Sequence, residues 1–151
     1  LGSFFEKLPY KNDFFDAIIA VQAISHGRVE DIRKLIKEIE RILKPNGLIF
    51  IAFTQRSGVK NWRVGSIYKE IFIGDDGVSR FEERRKILGP RTQVPIEGTE
   101  KGLIHYIFDK EAIKKEFKYF KIHRLSLDSK KRRYILLAEL KNNKMPNNLS
   151  A

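Results

Sequence analysis

Residues 8–53 read LPYKNDFFDAIIAVQAISHGRVEDIRKLIKEIERILKPNGLIFIAF, and this stretch constrains the fold more than any other. Residues 14–21 (FFDAIIAV) form a nearly continuous apolar run. The run lacks the alternation of a half-exposed strand, so it reads as a strand covered on both faces, the habit of parallel sheets. In residues 29–43, Val29, Ile32, Leu35, Ile36, Ile39, Ile42 and Leu43 recur at steps of three and one. That spacing makes one apolar stripe on a helix. Glu30 with Lys34, and Glu38 with Arg41, are spaced to pair on its wet face. Pro45-Asn46-Gly47 stops the helix and turns the chain. Residues 48–53 (LIFIAF) are a second apolar strand. Strand, helix and strand at this spacing imply a right-handed parallel crossover, which sets an α/β class.

The remainder is less regular. Residues 62–72 and 79–88 read as two short helices joined by the loop Gly74-Asp75-Asp76-Gly77. Trp62, Tyr68, Phe72 and Phe81 recur there at near-helical spacing. They form either an aromatic lid or a face packed on the sheet. Gly89-Pro90 and residues 95–102 read as extended and turn-rich. About fifty residues lie between strand 48–53 and the next firm helix, and connections of that length commonly carry function. Asp109 is placed to cap a helix running to about Phe117, with Phe108 and Ile113 positioned as a hydrophobic staple. Residues 121–127 partly alternate, 128–133 form a turn, and 134–140 (YILLAEL) are a buried strand. The two strands make an antiparallel hairpin. The more apolar 134–140 belongs beside 48–53, which leaves 121–127 at the edge. The tail 142–151 is polar and reads as frayed.

A chain of 151 residues with 42% hydrophobic content can bury one domain core. It has no cysteine, which rules out disulfides, thiolate metal ligands and a cysteine nucleophile and fits a cytoplasmic protein. No apolar run is long enough to span a membrane. The net charge of +11 is scattered among acids in the helical segments. Its one dense run, Lys130 to Arg133, falls at the hairpin turn, as a solvated turn or an anion-binding patch. Nucleic acid is therefore not the expected partner.

The ordered set of segments resembles the C-terminal half of a class I S-adenosylmethionine-dependent methyltransferase. LPYKNDFFDAII is similar to the Leu-Pro-aromatic stretch that opens that family's fourth strand. IKEIERILKPNGLIFI is similar to its helix ending in Arg-x-Leu-Lys-Pro-x-Gly and leading into the fifth strand. Residues 109–140 resemble the closing helix with strands six and seven. VPIEGTEKGLIHYIFDKEAI resembles a subgroup segment in which Gly-x-x-His precedes the last helix. The resemblance implies a partial Rossmann-like fold: parallel strands four and five with an antiparallel C-terminal hairpin. Residues 1–141 would form that partial domain, with 54–103 as a substrate or lid insertion. The family's glycine-rich cofactor loop and the acid after its second strand have no counterpart here. S-adenosylmethionine is the implied cofactor and a small molecule the implied acceptor, yet this chain alone is expected to show no cofactor binding at micromolar concentration and no turnover. An unpaired apolar strand at 14–21 would favour self-association. A non-catalytic assembly subunit and a basic nucleic-acid-binding module are the alternative readings.

Ligands of open α/β sheets bind where strands end on their C-terminal side. By resemblance, Leu8, Pro9, Val21, Gln22 and Ala23 flank the cofactor. His26 follows the strand end, and His105 lies in the Gly-Leu-Ile-His stretch. Each is either a base or substrate ligand, or a loop residue without a chemical role. Gln55 and Arg56 end the other strand and can bind a polar or anionic substrate, or simply start a solvated loop. Two histidines without a placed carboxylate make a weak metal pattern, and no metal is expected. His123 reads as an exposed edge-strand residue.

Overall fold

The computed structural model describes residues 6–55, 61–74 and 76–142. Two four-stranded sheets carry the fold, the first ordered β1-β2-β8-β7 and the second β3-β4-β5-β6.

In the first sheet, β1 (Phe15–Val21) pairs in parallel with β2 (Leu43–Thr54). The connecting helix α1 is Val29–Ile42 and buries Ile32, Leu35, Ile36, Ile39 and Ile42, the stripe expected from the sequence. β8 (Arg133–Leu140) runs antiparallel beside β2, with Ile51 opposite Leu136. β7 (Phe120–Leu127) takes the edge, so the predicted strand order stands. The helix α2 (Lys110–Glu116) starts at Asp109, whose carboxylate accepts the Ala112 N–H at 2.8 Å. Phe108 and Ile113 are both buried beside that cap, as a staple requires. α1 and α2 cover the same face, and Arg33 joins them by a two-pronged pair with Glu116 at 2.9 and 3.0 Å.

Three local expectations change. On α1, Glu38 does pair with Arg41 at 2.8 Å, but Lys34 reaches Asp31 and not Glu30. β2 begins at Leu43, directly off the helix, so Pro45-Asn46-Gly47 is an irregularity within a strand and not a separating turn. The register of β1 on β2 shifts there, between Phe15 and Ala17, and Asn46 takes φ +62°. A Cβ on Gly47 would stand 2.7 Å from Leu43 Cγ and 2.8 Å from the Lys44 carbonyl oxygen, so any side chain there forces its neighbours to shift.

The third change is larger. β1 and β2 are covered on one face, not two. Ile49, Ile51 and Phe53 point into the core, whereas Ile19 is 74% exposed and Val21 58% exposed, with Leu48 and Phe50 also exposed. Among the described residues both helices lie on the inner face, and apolar side chains of the outer face meet solvent.

The region expected to be helical forms the second sheet. β3 (Ile67–Ile73) and β4 (Ser79–Gly89) make an antiparallel hairpin, continued by β5 (Thr92–Pro95) and the short β6 (His105–Tyr106). Tyr68 and Phe72, four apart, share a face in a strand as well as in a helix, so their spacing did not separate the two periods. The intervening residues do. Tyr68, Glu70 and Phe72 alternate with the more exposed Ile67, Lys69, Ile71 and Ile73. The β-branched Ile67, Ile71 and Ile73 on that face favour the pleated form. Trp62 lies ahead of β3, outside any regular element.

Candidate active site

The second sheet meets the first at the C-terminal ends of β1 and β2. The join is made by backbone. Gly27 N–H donates to the Ile104 carbonyl at 2.7 Å, and Tyr106 N–H donates to the Ser25 carbonyl at 2.8 Å. The loop after β1 thus extends the second sheet, and His26 sits directly opposite His105 in an antiparallel bridge. Their rings meet edge to face, 4.9 Å between centroids and 76° between planes. Two residues 79 positions apart in sequence are fixed side by side by ladder geometry.

A cavity of about 390 Å³ opens on this pair. Gln22, Ser25, Thr54, Phe72, Arg85 and Glu100 line it with the two histidines. Gln22 takes φ +58°, an uncommon conformation for a residue with a long side chain, and its N–H is held by the Ala52 carbonyl at 2.9 Å. Backbone outliers of this kind concentrate at functional sites. A second hollow of about 740 Å³ adjoins the first and shares Thr54 and Phe72 with it. Gln55, Tyr68, Lys130 and Arg132 line it, so the basic hairpin turn faces a cavity and not only bulk solvent.

The walls are charged. Arg85 on β4 is fully buried. Its Nε lies 2.7 Å from Glu70, its Nη2 2.5 Å from Glu83 and 3.6 Å from Glu100. The guanidinium stands 5.6 Å from the Phe72 ring centroid, a cation–π arrangement. Glu100 also reaches His105, with Oε2 3.2 Å from Nε2. Gly98, at φ +79°, lets the following loop close over Glu83, because a Cβ there would stand 2.5 Å from Glu83 Oε1. Directly across the β5–β6 ladder from His105 is Gln93, fully buried, whose amide has no hydrogen-bond partner among the described residues. On the next residue of β6, burial pushes the Tyr106 hydroxyl above the ordinary phenol range, with Glu116 adding to the effect. Further along, burial raises the Asp109 carboxyl, but hydrogen bonds from Ala112 N–H and Arg91 outweigh it and the net shift is downward.

The sequence-derived site residues divide accordingly. His26, His105 and Gln22 converge on the cavity. Val21 and Ala23 lie beside it at the strand end and are exposed. Gln55 lines the adjoining hollow. Leu8 and Pro9 do not join them. Leu8 is tied to the last turn of α1 through Glu38 at 3.0 Å and Arg41 at 3.1 Å, at the opposite end of β1 from Gln22. Arg56 lies outside the described residues. His123 pairs with Glu139 at 2.9 Å on the edge hairpin. Sequence reading missed Glu70, Glu83, Arg85 and Glu100. In RFEERRK, a period of two would have put Glu83 and Arg85 on one face, but the helical reading hid it.

An open sheet with parallel β1–α1–β2, an antiparallel closing hairpin and a ligand-sized cavity over the strand ends is the architecture of the class I S-adenosylmethionine-dependent methyltransferases. Residues 2–51 match the family model described as "Methyltransferase domain". No curated protein matches the sequence. Among solved structures, the PH0226 protein from Pyrococcus horikoshii OT3 superposes with a TM-score of 0.60 at 17% identity, over 93% of this chain and 57% of that one. A 1,6-didemethyltoxoflavin-N1-methyltransferase from Burkholderia thailandensis, solved with its substrate and S-adenosylhomocysteine, gives 0.56 at 9% identity, over 87% and 46%. The [4+2]-cyclase SpnF gives 0.53 at 14% identity, over 93% and 54%. The chain thus spans about half the length of these structures. No described helix is long and apolar enough to cross a membrane.

Proposed function

We propose that this chain forms the acceptor-side portion of an S-adenosylmethionine-dependent methyltransferase that acts on a small molecule. The observation that carries the reading is the His26–His105 pair, held by two backbone bonds over a cavity at the ends of β1 and β2. S-adenosylmethionine supplies an electrophilic methyl group on sulfonium sulfur. Gln22 and Ala23, exposed at the strand end, fit one wall of a site for it. Methyl transfer needs an aligned acceptor and, for a protonated nucleophile, a base. His26 and His105 are the candidates for that base. Glu100 Oε2, 3.2 Å from His105 Nε2, stands where it can orient that ring. Gln55 and the basic turn suit the polar or anionic end of an acceptor, and Arg56 belongs to the same proposal by its place in the sequence.

Titration of the ¹⁵N-labelled chain with S-adenosylhomocysteine tests this. With one wall of the site supplied by this chain, weak binding is expected, above micromolar. Shift changes should concentrate on residues 22–26 and 54–55. Changes confined to the β7–β8 hairpin or to the neighbourhood of Leu8 would sink the reading.

A second reading has its own observation. Ile19, Val21, Leu48 and Phe50 form an exposed apolar face next to the open edge of β1. Such a face with a free edge favours association with another polypeptide. In that case the chain acts in an assembly, or self-associates. Sedimentation velocity across a concentration series distinguishes this from a monomer.

A further inference from the structure

We propose that His26, His105 and Glu100 bind a divalent transition-metal ion such as zinc(II). One ligand atom from each of the three residues lies within 4.8 Å of the other two. With metal–ligand bonds of about 2.0–2.2 Å, neighbouring ligands of a tetrahedral ion stand about 3.3–3.5 Å apart. Glu100 Oε2 and His105 Nε2, at 3.2 Å, are already at that spacing. Closing the triangle takes an approach of about 1–1.5 Å, within reach of side-chain rotation on a fixed backbone.

The donor set chooses the metal. Two imidazoles and one carboxylate suit zinc, nickel or cobalt, whereas magnesium and calcium prefer oxygen alone. The three residues come from the loop after β1, the loop before β6, and β6 itself. The backbone bonds at Gly27 and Tyr106 hold two of those segments together before any ion arrives. That preorganisation separates this group from histidines that meet by chance on a surface.

The surrounding charge agrees. In the described ion pairs of the cluster, Glu70, Glu83 and Glu100 share the single guanidinium of Arg85. Glu100 is the least committed of them, since its 3.6 Å separation from Arg85 Nη2 exceeds hydrogen-bond length. It is also the most exposed, so it can turn to an ion entering from the cavity. Three protein ligands leave a coordination position facing that cavity, the arrangement of catalytic and not of purely structural sites. Gln93, opposite His105, is placed to serve a ligating histidine as an outer partner.

Binding of the metal needs no methyl donor, so it is tested apart from methyl transfer; an ion held by both histidines occupies the lone pairs a base would use, so zinc binding and the base role of His26 and His105 exclude each other. The test is calorimetric titration of the 151-residue chain with zinc chloride, repeated with magnesium chloride. Cobalt(II) visible absorption reports the ligand geometry. One equivalent of zinc per chain is expected, with little response to magnesium. The ring protons of His26 and His105 should shift, and those of His123 should not. Glu100→Gln keeps the shape of the side chain, and His26→Ala changes a half-buried loop residue. Each should weaken zinc by more than about tenfold, the lower end of what losing even an outer partner costs at metal sites. Unchanged dispersion in the ¹⁵N spectrum of both variants shows that they fold. No saturable zinc binding, zinc binding unchanged in both folded variants, or shifts at His123 alone would overturn the proposal.

Discussion

The two sheets have four strands each and opposite interiors. The first buries Ile49, Ile51, Phe53 and Leu136 under two helices. The second buries Arg85, Glu83, Gln93 and His105. In the first, stability comes from apolar area, which is non-directional and tolerant of small shifts. In the second, a buried guanidinium and its carboxylates must keep their geometry, because a lost partner leaves an uncompensated charge. The comparison teaches where chemistry can sit in this chain. The apolar sheet is a support, and the charged one carries most of the polar groups that line the cavity.

The sharpest way to break that contrast is Arg85→Met. It leaves the buried Glu83 and the part-buried Glu70 without that guanidinium and should cost about 3–5 kcal/mol. Urea denaturation measures it. A loss below about 1 kcal/mol would mean that the second sheet does not depend on the network. Leu136→Ala probes the other interior and should cost about 2–5 kcal/mol through the cavity it leaves. Hydrogen exchange then sharpens the result: protection should fall through β2, β7 and β8, while Arg85→Met should loosen β3 to β5 first.

Smaller effects test single positions in and beside the first sheet. Gly47→Ala forces a methyl group against Leu43 and the Lys44 carbonyl, and overpacking of this kind costs about 1–3 kcal/mol. The same thermal melt reads Asp109→Ala, where loss of the α2 cap should cost about 1 kcal/mol. Asp109 also carries a pH signature. Its folded carboxyl titrates below the ordinary range, so the folded chain binds fewer protons there than the unfolded one. Its contribution is complete above the unfolded value of about 3.9 and is lost as pH falls through the folded value. The Asp109→Ala chain should therefore show a shallower loss of stability below about pH 4.

How much of this was legible follows from the same contrast. β1, α1, β2 and the closing hairpin could be read because Ile, Leu and Phe repeat at the period of the element that buries them. Even so, the apolar run in β1 did not reveal that one face stays open. Continuous hydrophobicity says what a strand can bury, not what covers it. β3 and β4 were misread because Tyr68 and Phe72 satisfy both periods and their strands carry charges on the inward face. His26 and His105 were each visible as candidates. That the two could share a metal was legible only as a weak pattern; the geometry that joins them was not, because it arises from a backbone ladder between a loop and a two-residue strand. Glu100 had no motif of its own and becomes a candidate ligand only once that ladder has formed.

The bridge at Ser25–Gly27 and Ile104–Tyr106 has a kinetic consequence. Its two donor amides, Gly27 and Tyr106, cannot exchange with solvent deuterium unless the strands part there, and parting separates the histidines. Their exchange rates therefore clock how often the pair comes apart. Wherever closing is faster than chemical exchange, the ratio of observed to intrinsic rate gives the fraction of molecules in which the pair is broken. Any ion or ligand that holds both histidines must slow those two amides in proportion to its occupancy. The protein thus carries an internal reporter for its own site, readable with no substrate in hand.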